Sequence, residues 1–216
     1  MKTTKQEYRQ FLNNNFKNIK IKTPLFFNWD HHGLRFNLQK GETDTDEYFT
    51  EVLKRATTIF ESVFENTDNI FIILLEYKYK RRKIKFNNYV FKQIEALKQS
   101  EVIYYKEYRL YEPNKFDIRN IAIIKTTAKK VNYGNIFKAI AHTDFAAQEP
   151  RLDKYGVLTS KEVYFLNIDK RLIFHMYDDR GLDIISADKE ILTSIYKKHH
   201  SWLLDVNREK MDKKFE

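Results

Sequence analysis

A chain of 216 residues, 42% hydrophobic and 15% aromatic, can bury one sizeable core but is too short for two full domains. Without cysteine it has neither a disulfide framework nor thiolate chemistry, which suits a reducing, cytoplasmic setting. Its longest apolar run, residues 70–75, falls far short of the ~20 residues of a membrane helix, so no membrane partner is expected. A net charge of +9 suits a polyanion, yet the 39 basic residues are interleaved with 30 acidic ones, so no dedicated nucleic-acid arm stands out.

In chain order, Thr4 with Glu7 has the form of a capping box, and Tyr8, Phe11, Leu12 and Phe16 recur at helical spacing. These predict a short N-terminal helix. Over 44–64, Phe49, Val52, Ala56, Ile59, Phe60 and Val63 form one apolar stripe behind the cap candidates Asp44 and Glu47, so a long helix must lie on the core. Residues 69–77, NIFIILLEY, are too few for a buried helix and rich in β-branched side chains, as in a central strand buried on both faces. Behind Asn88, the spacing of Val90, Phe91, Ile94 and Leu97 predicts a helix over 88–98.

Strands over 102–111 and 117–126 flank a turn at Glu112, Pro113 and Asn114 and should pair antiparallel. Ile136, Phe137, Ile140, Ala141 and Phe145 predict another helix, and Pro150 and Gly156 mark 148–159 as a loop. Segments 162–168, 171–177 and 182–186 read as a three-strand meander, closed by a helix over 188–204. The expected fold is α+β, a single domain over 1–216. Its sheet is mainly antiparallel, with six or seven strands and helices packed chiefly on one face, and 160–210 form a compact meander-and-helix subregion.

Several segments resemble a bacterial family of unknown function, DUF3885. They are LFFNWDHHGLRFNL at 25–38, RATTIFESVF at 55–64, and VYFLNIDKRLIFHMYDDRGLDIIS at 163–186 followed by LTSIYKKHHSWLLDVNR at 192–208. The likeness is weakest over 78–117. It brings no reaction, cofactor or substrate. In size and solubility the family's members resemble proteins encoded beside polymorphic toxins, so the resemblance implies an immunity-type role in which the partner is another protein.

The densest polar group is Tyr177-Asp178-Asp179-Arg180-Gly181. Adjacent aspartates can hold a hard cation, and Arg180 can grip a phosphate or carboxylate through two N–H groups. A hairpin turn explains the same residues without a ligand: Asp accepts backbone N–H groups, Gly takes a positive φ, and Arg180 pairs with Asp178 or Asp183. Upstream, Trp29, His31 and Arg35 lie in a stretch that mixes aromatic, charged and turn residues, as binding loops do. The alternative there is that Gly33 permits a turn while Arg35 pairs with a helix carboxylate.

Glu76 and Lys78 share one face of their strand, as an acidic-x-lysine nuclease pattern requires. The nearest upstream acid, Asp68, is ~26 Å away along the extended chain, and a solvated strand end accounts for both charges. Lys78, Lys80, Arg81, Arg82, Lys83 and Lys85, interleaved with Tyr77, Tyr79 and Phe86, form a basic and aromatic stretch that can meet phosphates and stack on bases, or simply be a solvated loop. The six histidines lack metal-ligand spacing, and no phosphate-binding loop or nucleophile elbow is present. No catalytic residue, metal or cofactor is therefore assigned. The sequence reads as a non-catalytic protein-binding module. The alternatives are a metal-dependent phosphodiesterase at Glu76 and Lys78 or at Asp178-Asp179, and nucleic-acid binding through 78–85.

Overall fold

A computed structural model describes residues 2–29, 31–78, 83–153 and 160–216. Its centre is β2 (Asn69–Tyr77), in which every residue from Ile70 to Leu75 is buried. Side chains alternate across a strand, so Ile70, Ile72 and Leu74 enter one core while Phe71, Ile73 and Leu75 enter a second. β2 lies between β4 (Ile118–Thr127) and β5 (Glu162–Asn167), with Ile73 opposite Ile123 on one side and Tyr164 on the other.

The sheet continues outward from this centre. β3 (Ile103–Tyr108) pairs with β4, while β6 (Leu172–Asp178), β7 (Gly181–Ser186) and β1 (His32–Asn37) follow β5. The result is a seven-strand antiparallel sheet of order β1-β7-β6-β5-β2-β4-β3, as the α+β expectation requires, with the meander intact. The first core holds α2 (Asp46–Val63), α3 (Tyr133–Ala141), α4 (Lys189–Lys198) and α5 (Asp205–Phe215). At its middle, Phe60 stacks on Phe64 at 4.0 Å and meets Phe137, Phe165 and Phe174 edge-on at 5.4, 5.3 and 5.2 Å. The second core is closed by α1 (Thr4–Phe16), through Tyr8, Phe11, Leu12 and Phe16.

Several local expectations are corrected. The first capping box is Thr3 with Gln6, one residue earlier than the Thr4 and Glu7 pattern, and α2 is capped by Thr45 because Asp44 sits at φ 63. No α-helix forms over 88–98; a short 3-10 turn, Phe91–Gln93, stands there, and a second, Gln99–Glu101, follows it. Ile94 instead bridges Val131, the Glu95 N–H donates to the Lys130 carbonyl at 2.8 Å, and Ala96 takes φ 54. Pairing with a distant segment thus claims the backbone groups that a helix would use.

At the C-terminus, α4 ends at Lys198 and a separate α5 follows a 3-10 turn at His200–Trp202. Only Met211 and Phe215 are buried on α5, a stripe too narrow to announce a helix. The linking residues cap the outer edge of β1: Leu203 bridges Phe36, and the Leu204 N–H donates to the Arg35 carbonyl at 2.9 Å.

Gly181 has no positive φ, so the turn needs it for space and not for handedness. A Cβ there would lie 2.6 Å from the Phe36 carbonyl oxygen and would also strike the Tyr177 hydroxyl. Gly134, in the first turn of α3, has nothing nearer than the Asn132 side-chain oxygen at 3.8 Å. Gly181→Ala is expected to cost about 1–3 kcal/mol of stability, and Gly134→Ala to raise it by up to about 1 kcal/mol. Urea denaturation of both variants checks the contrast, and shifts of the same sign would contradict it.

Candidate functional site

The edge strand β1 brings Arg35 opposite Asp183 of β7, and Asp183 in turn lies opposite His175 of β6. Asp183 is fully buried and accepts the N–H of Phe26 at 3.1 Å. Its other oxygen is 3.2 Å from Arg35 Nε, an ion pair whose N–H is not aligned as a hydrogen bond. The Arg35 guanidinium carbon is 5.3 Å from the centre of the Phe27 ring and 5.1 Å from that of Tyr177, within cation–π range of both. Lys210 of α5 is 5.4 Å from the Phe27 ring as well, and Phe27 remains 49% exposed. A surface ladder of Lys210, Phe27, Arg35 and Tyr177 results.

Two of the sequence candidates, Arg35 and Tyr177, are thus brought together. Trp29 is buried, and its indole N–H donates to the Ser186 carbonyl at 3.2 Å, tying the 3-10 turn Leu25–Asn28 to β7. His31 is exposed against that indole at 4.6 Å between ring centres, with Lys17 Nζ 2.9 Å from its Nε2. The carboxylate that meets Arg35 belongs to a strand, not a helix. Gly33 is inside β1, where a Cβ would press on Phe26 at 3.2 Å and Ile185 at 3.3 Å; it serves close packing, not a turn.

The charged residues of 178–180 are joined to one another and to α2. Asp178 accepts the Arg180 N–H and Nε, both at 2.8 Å. Asp179 is buried and accepts the Tyr48 hydroxyl, while Gln39 donates to that hydroxyl at 3.0 Å. Burial raises the pKa of Asp179, against the pull of the Tyr48 hydroxyl, and burial beside Asp179 raises that of Tyr48 in turn. Asp144, just beyond α3, joins this pair, one oxygen from each of the three acids lying within 4.8 Å of the others. Three such oxygens can hold a hard cation, but Arg180 and Tyr48 already engage two of the acids. No local pattern in the sequence links Asp144 to the turn.

Glu76 and Asp68 stand at opposite ends of β2. Asp68 accepts the Asn167 side-chain N–H at 2.6 Å and the Glu65 backbone N–H at 2.8 Å. Glu76 is only 8% exposed, which corrects the expectation of a solvated strand end. The backbone N–H of Lys78, half-buried, donates to the Ile118 carbonyl at 2.9 Å. Lys80, Arg81 and Arg82 lie outside the described residues. Lys83 is exposed and lines a groove with Lys85, Tyr104 and Lys106.

Sequence reasoning did not mark Phe27, Lys210 or Asp183 as site residues. The available signal was an acid at the centre of the otherwise apolar GLDIIS, where a charge must find a partner. No described helix is long and apolar enough to cross a membrane.

The family model described as a domain of unknown function, DUF3885, matches residues 8–207. An uncharacterized protein of Bacillus subtilis (strain 168), YnaE, is 25% identical over 205 residues, covering 89% of this chain and 95% of that relative. No solved structure matches.

Two buried groups on this face respond to pH in opposite senses. Burial pushes the Asp183 carboxyl up to about 6, against the pull of Arg35 and of the Phe26 and Leu25 N–H groups. Burial pushes the His175 imidazole down to about 4, against its bond to the Val163 carbonyl at 2.9 Å. The raised carboxyl contributes stability that is complete below ~3.9 and lost as pH rises through its folded value. The lowered imidazole contributes stability that is complete above ~6.5 and lost as pH falls through its own. The slopes oppose each other between about pH 4 and 6. His175→Phe, which keeps a ring against Tyr164, removes one slope, so the variant should gain about 2 kcal/mol relative to the unaltered protein between pH 7 and pH 4.5. Urea titrations at the two pH values measure this, and a difference that stays constant with pH would contradict a buried neutral imidazole.

Proposed function

Because the chain belongs to the DUF3885 family and the charged groups at 178–180 are paired within the fold, we propose that it is a non-catalytic binding protein of the immunity type, whose partner is another protein. One observation carries this reading: Phe27 stands half in solvent while two cations from different elements, Arg35 and Lys210, pack against its ring. An aromatic ring and an arginine paired to a buried carboxylate resemble the anchors that dominate protein interfaces. Arg35 and Tyr177 keep the ring's neighbourhood preorganised, so little side-chain freedom is lost when a partner docks. Val206, 81% exposed, sits one helical turn from Lys210 on α5 and extends the apolar part of the surface. The exposed Lys210 at the rim favours an acidic partner.

In this reading, co-expression with the product of an adjacent gene yields a complex of defined stoichiometry by size exclusion with light scattering. Phe27→Asp should weaken that complex by at least about 2 kcal/mol, or roughly thirtyfold in Kd, and Lys210→Glu should slow association, while both variants unfold at the temperature of the parent. A complex indifferent to Phe27→Asp would remove this surface from the interface. Failure of every neighbouring product to co-elute would count against the binding role itself.

A further inference from the structure

Five large apolar side chains stand in solvent among the described residues, and three of them, Tyr104, Tyr108 and Phe116, belong to the β3–β4 hairpin. The hairpin is at the opposite end of the sheet from Phe27, because β3 is one edge and β1 the other. Along β3, Tyr104, Lys106 and Tyr108 are exposed while Ile103, Tyr105 and Glu107 turn to the other face. Neighbours in this exposed row are ~6.8 Å apart. Lys83, Lys85 and Phe86 share with Tyr104 and Lys106 a groove of about 640 Å³. Phe91 braces the Tyr104 ring at 6.5 Å, and Lys115 lies 5.3 Å from the ring of Phe116 at the hairpin tip.

From this geometry we propose that the groove binds single-stranded nucleic acid. Tyr104 in the groove and Tyr108, beyond it in the same exposed row of β3, are the stacking platforms, and Lys83, Lys85 and Lys106 meet the phosphates. Flat rings alternating with cations along an exposed strand match a chain whose bases and phosphates alternate in the same way. An acidic peptide made of Asp and Glu would use the lysines but has no flat ring at each repeat to set on the tyrosines. A duplex has its base faces already stacked, so it cannot use the rings either. The overall charge of +9 draws a polyanion toward the surface. The site rests on residues separate from those of the proposed protein interface, so neither reading depends on the other.

The test is fluorescence anisotropy of the full chain with short fluorescein-labelled oligothymidine and oligouridine, over a range of salt. The expected result is binding to the single strands in preference to a duplex of equal length, weakening as salt rises. Tyr104→Ala and Tyr108→Ala should each raise Kd about tenfold, Tyr104→Phe should leave it unchanged, and Lys106→Gln should lower the salt slope by about 0.7. All three positions of substitution are exposed, and matching unfolding curves confirm that the fold is kept. Absence of binding, equal affinity for the duplex, or alanine variants that bind like the parent would overturn the proposal. So would displacement of the oligonucleotide by polyglutamate at equal charge concentration, which would assign the groove to an acidic protein.

Discussion

Strand β2 has no side that water can reach. Its six consecutive apolar residues send alternate side chains into two cores, so the sheet around it must be covered on both faces. Four helices meet this demand on one face. Among the described residues the other face receives α1, the segment after it and the β3–β4 connection, where Phe16, Leu25, Trp29 and Leu110 complete the cover. Polar groups in the thinner layer therefore cannot be left to solvent. They are paired in place: Tyr111 and Tyr164 both donate to Glu162, and Arg35 faces Asp183.

The Arg35–Asp183 pair illustrates how such a layer organises the surface above it. Buried ion pairs contribute little net stability, because desolvation offsets most of the attraction, but removing one partner strands the other. Their value lies in geometry. Asp183 holds the guanidinium by charge, within cation–π range of Phe27 and Tyr177, so a surface aromatic lies beside a cation paired to a carboxylate with no exposure of its own. Asp179 does similar work from the neighbouring turn, where its bond to Tyr48 locks the β6–β7 connection against α2.

The two edges of the sheet are treated differently. On β1 the outer backbone is met by Leu203 and Leu204, and Met211 packs its sulfur 3.1 Å from the Arg35 nitrogen. On β3 the edge carries a lysine between two exposed tyrosines, and a charged residue in that position discourages strand-to-strand aggregation while leaving the surface available. Both proposed binding surfaces thus sit where the double cover of the central strands ends, at the sheet margins. Between the two margins, Ile70 to Leu75 of β2 are buried.

The elements whose own residues face a core along one regular period were legible without coordinates. The β2 run, the α2 stripe, the β5–β6–β7 meander and the likeness to DUF3885 all follow from patterns contained within a single segment. Residues 88–98 have the right period for a helix and do not form one, because Ile94 and Glu95 pair with Val131 and Lys130 from a segment far along the chain. The same limit applies to the sites. Local sequence identified Arg35 and the 177–180 group, but the neighbours that give them meaning, Phe27 against Lys210, Asp183 beneath Arg35 and Asp144 beside Asp179, come from separate elements. Periodicity records which side of a segment is dry. Which distant side chain lies across the gap is set by strand order and register, and only the folded sheet decides those.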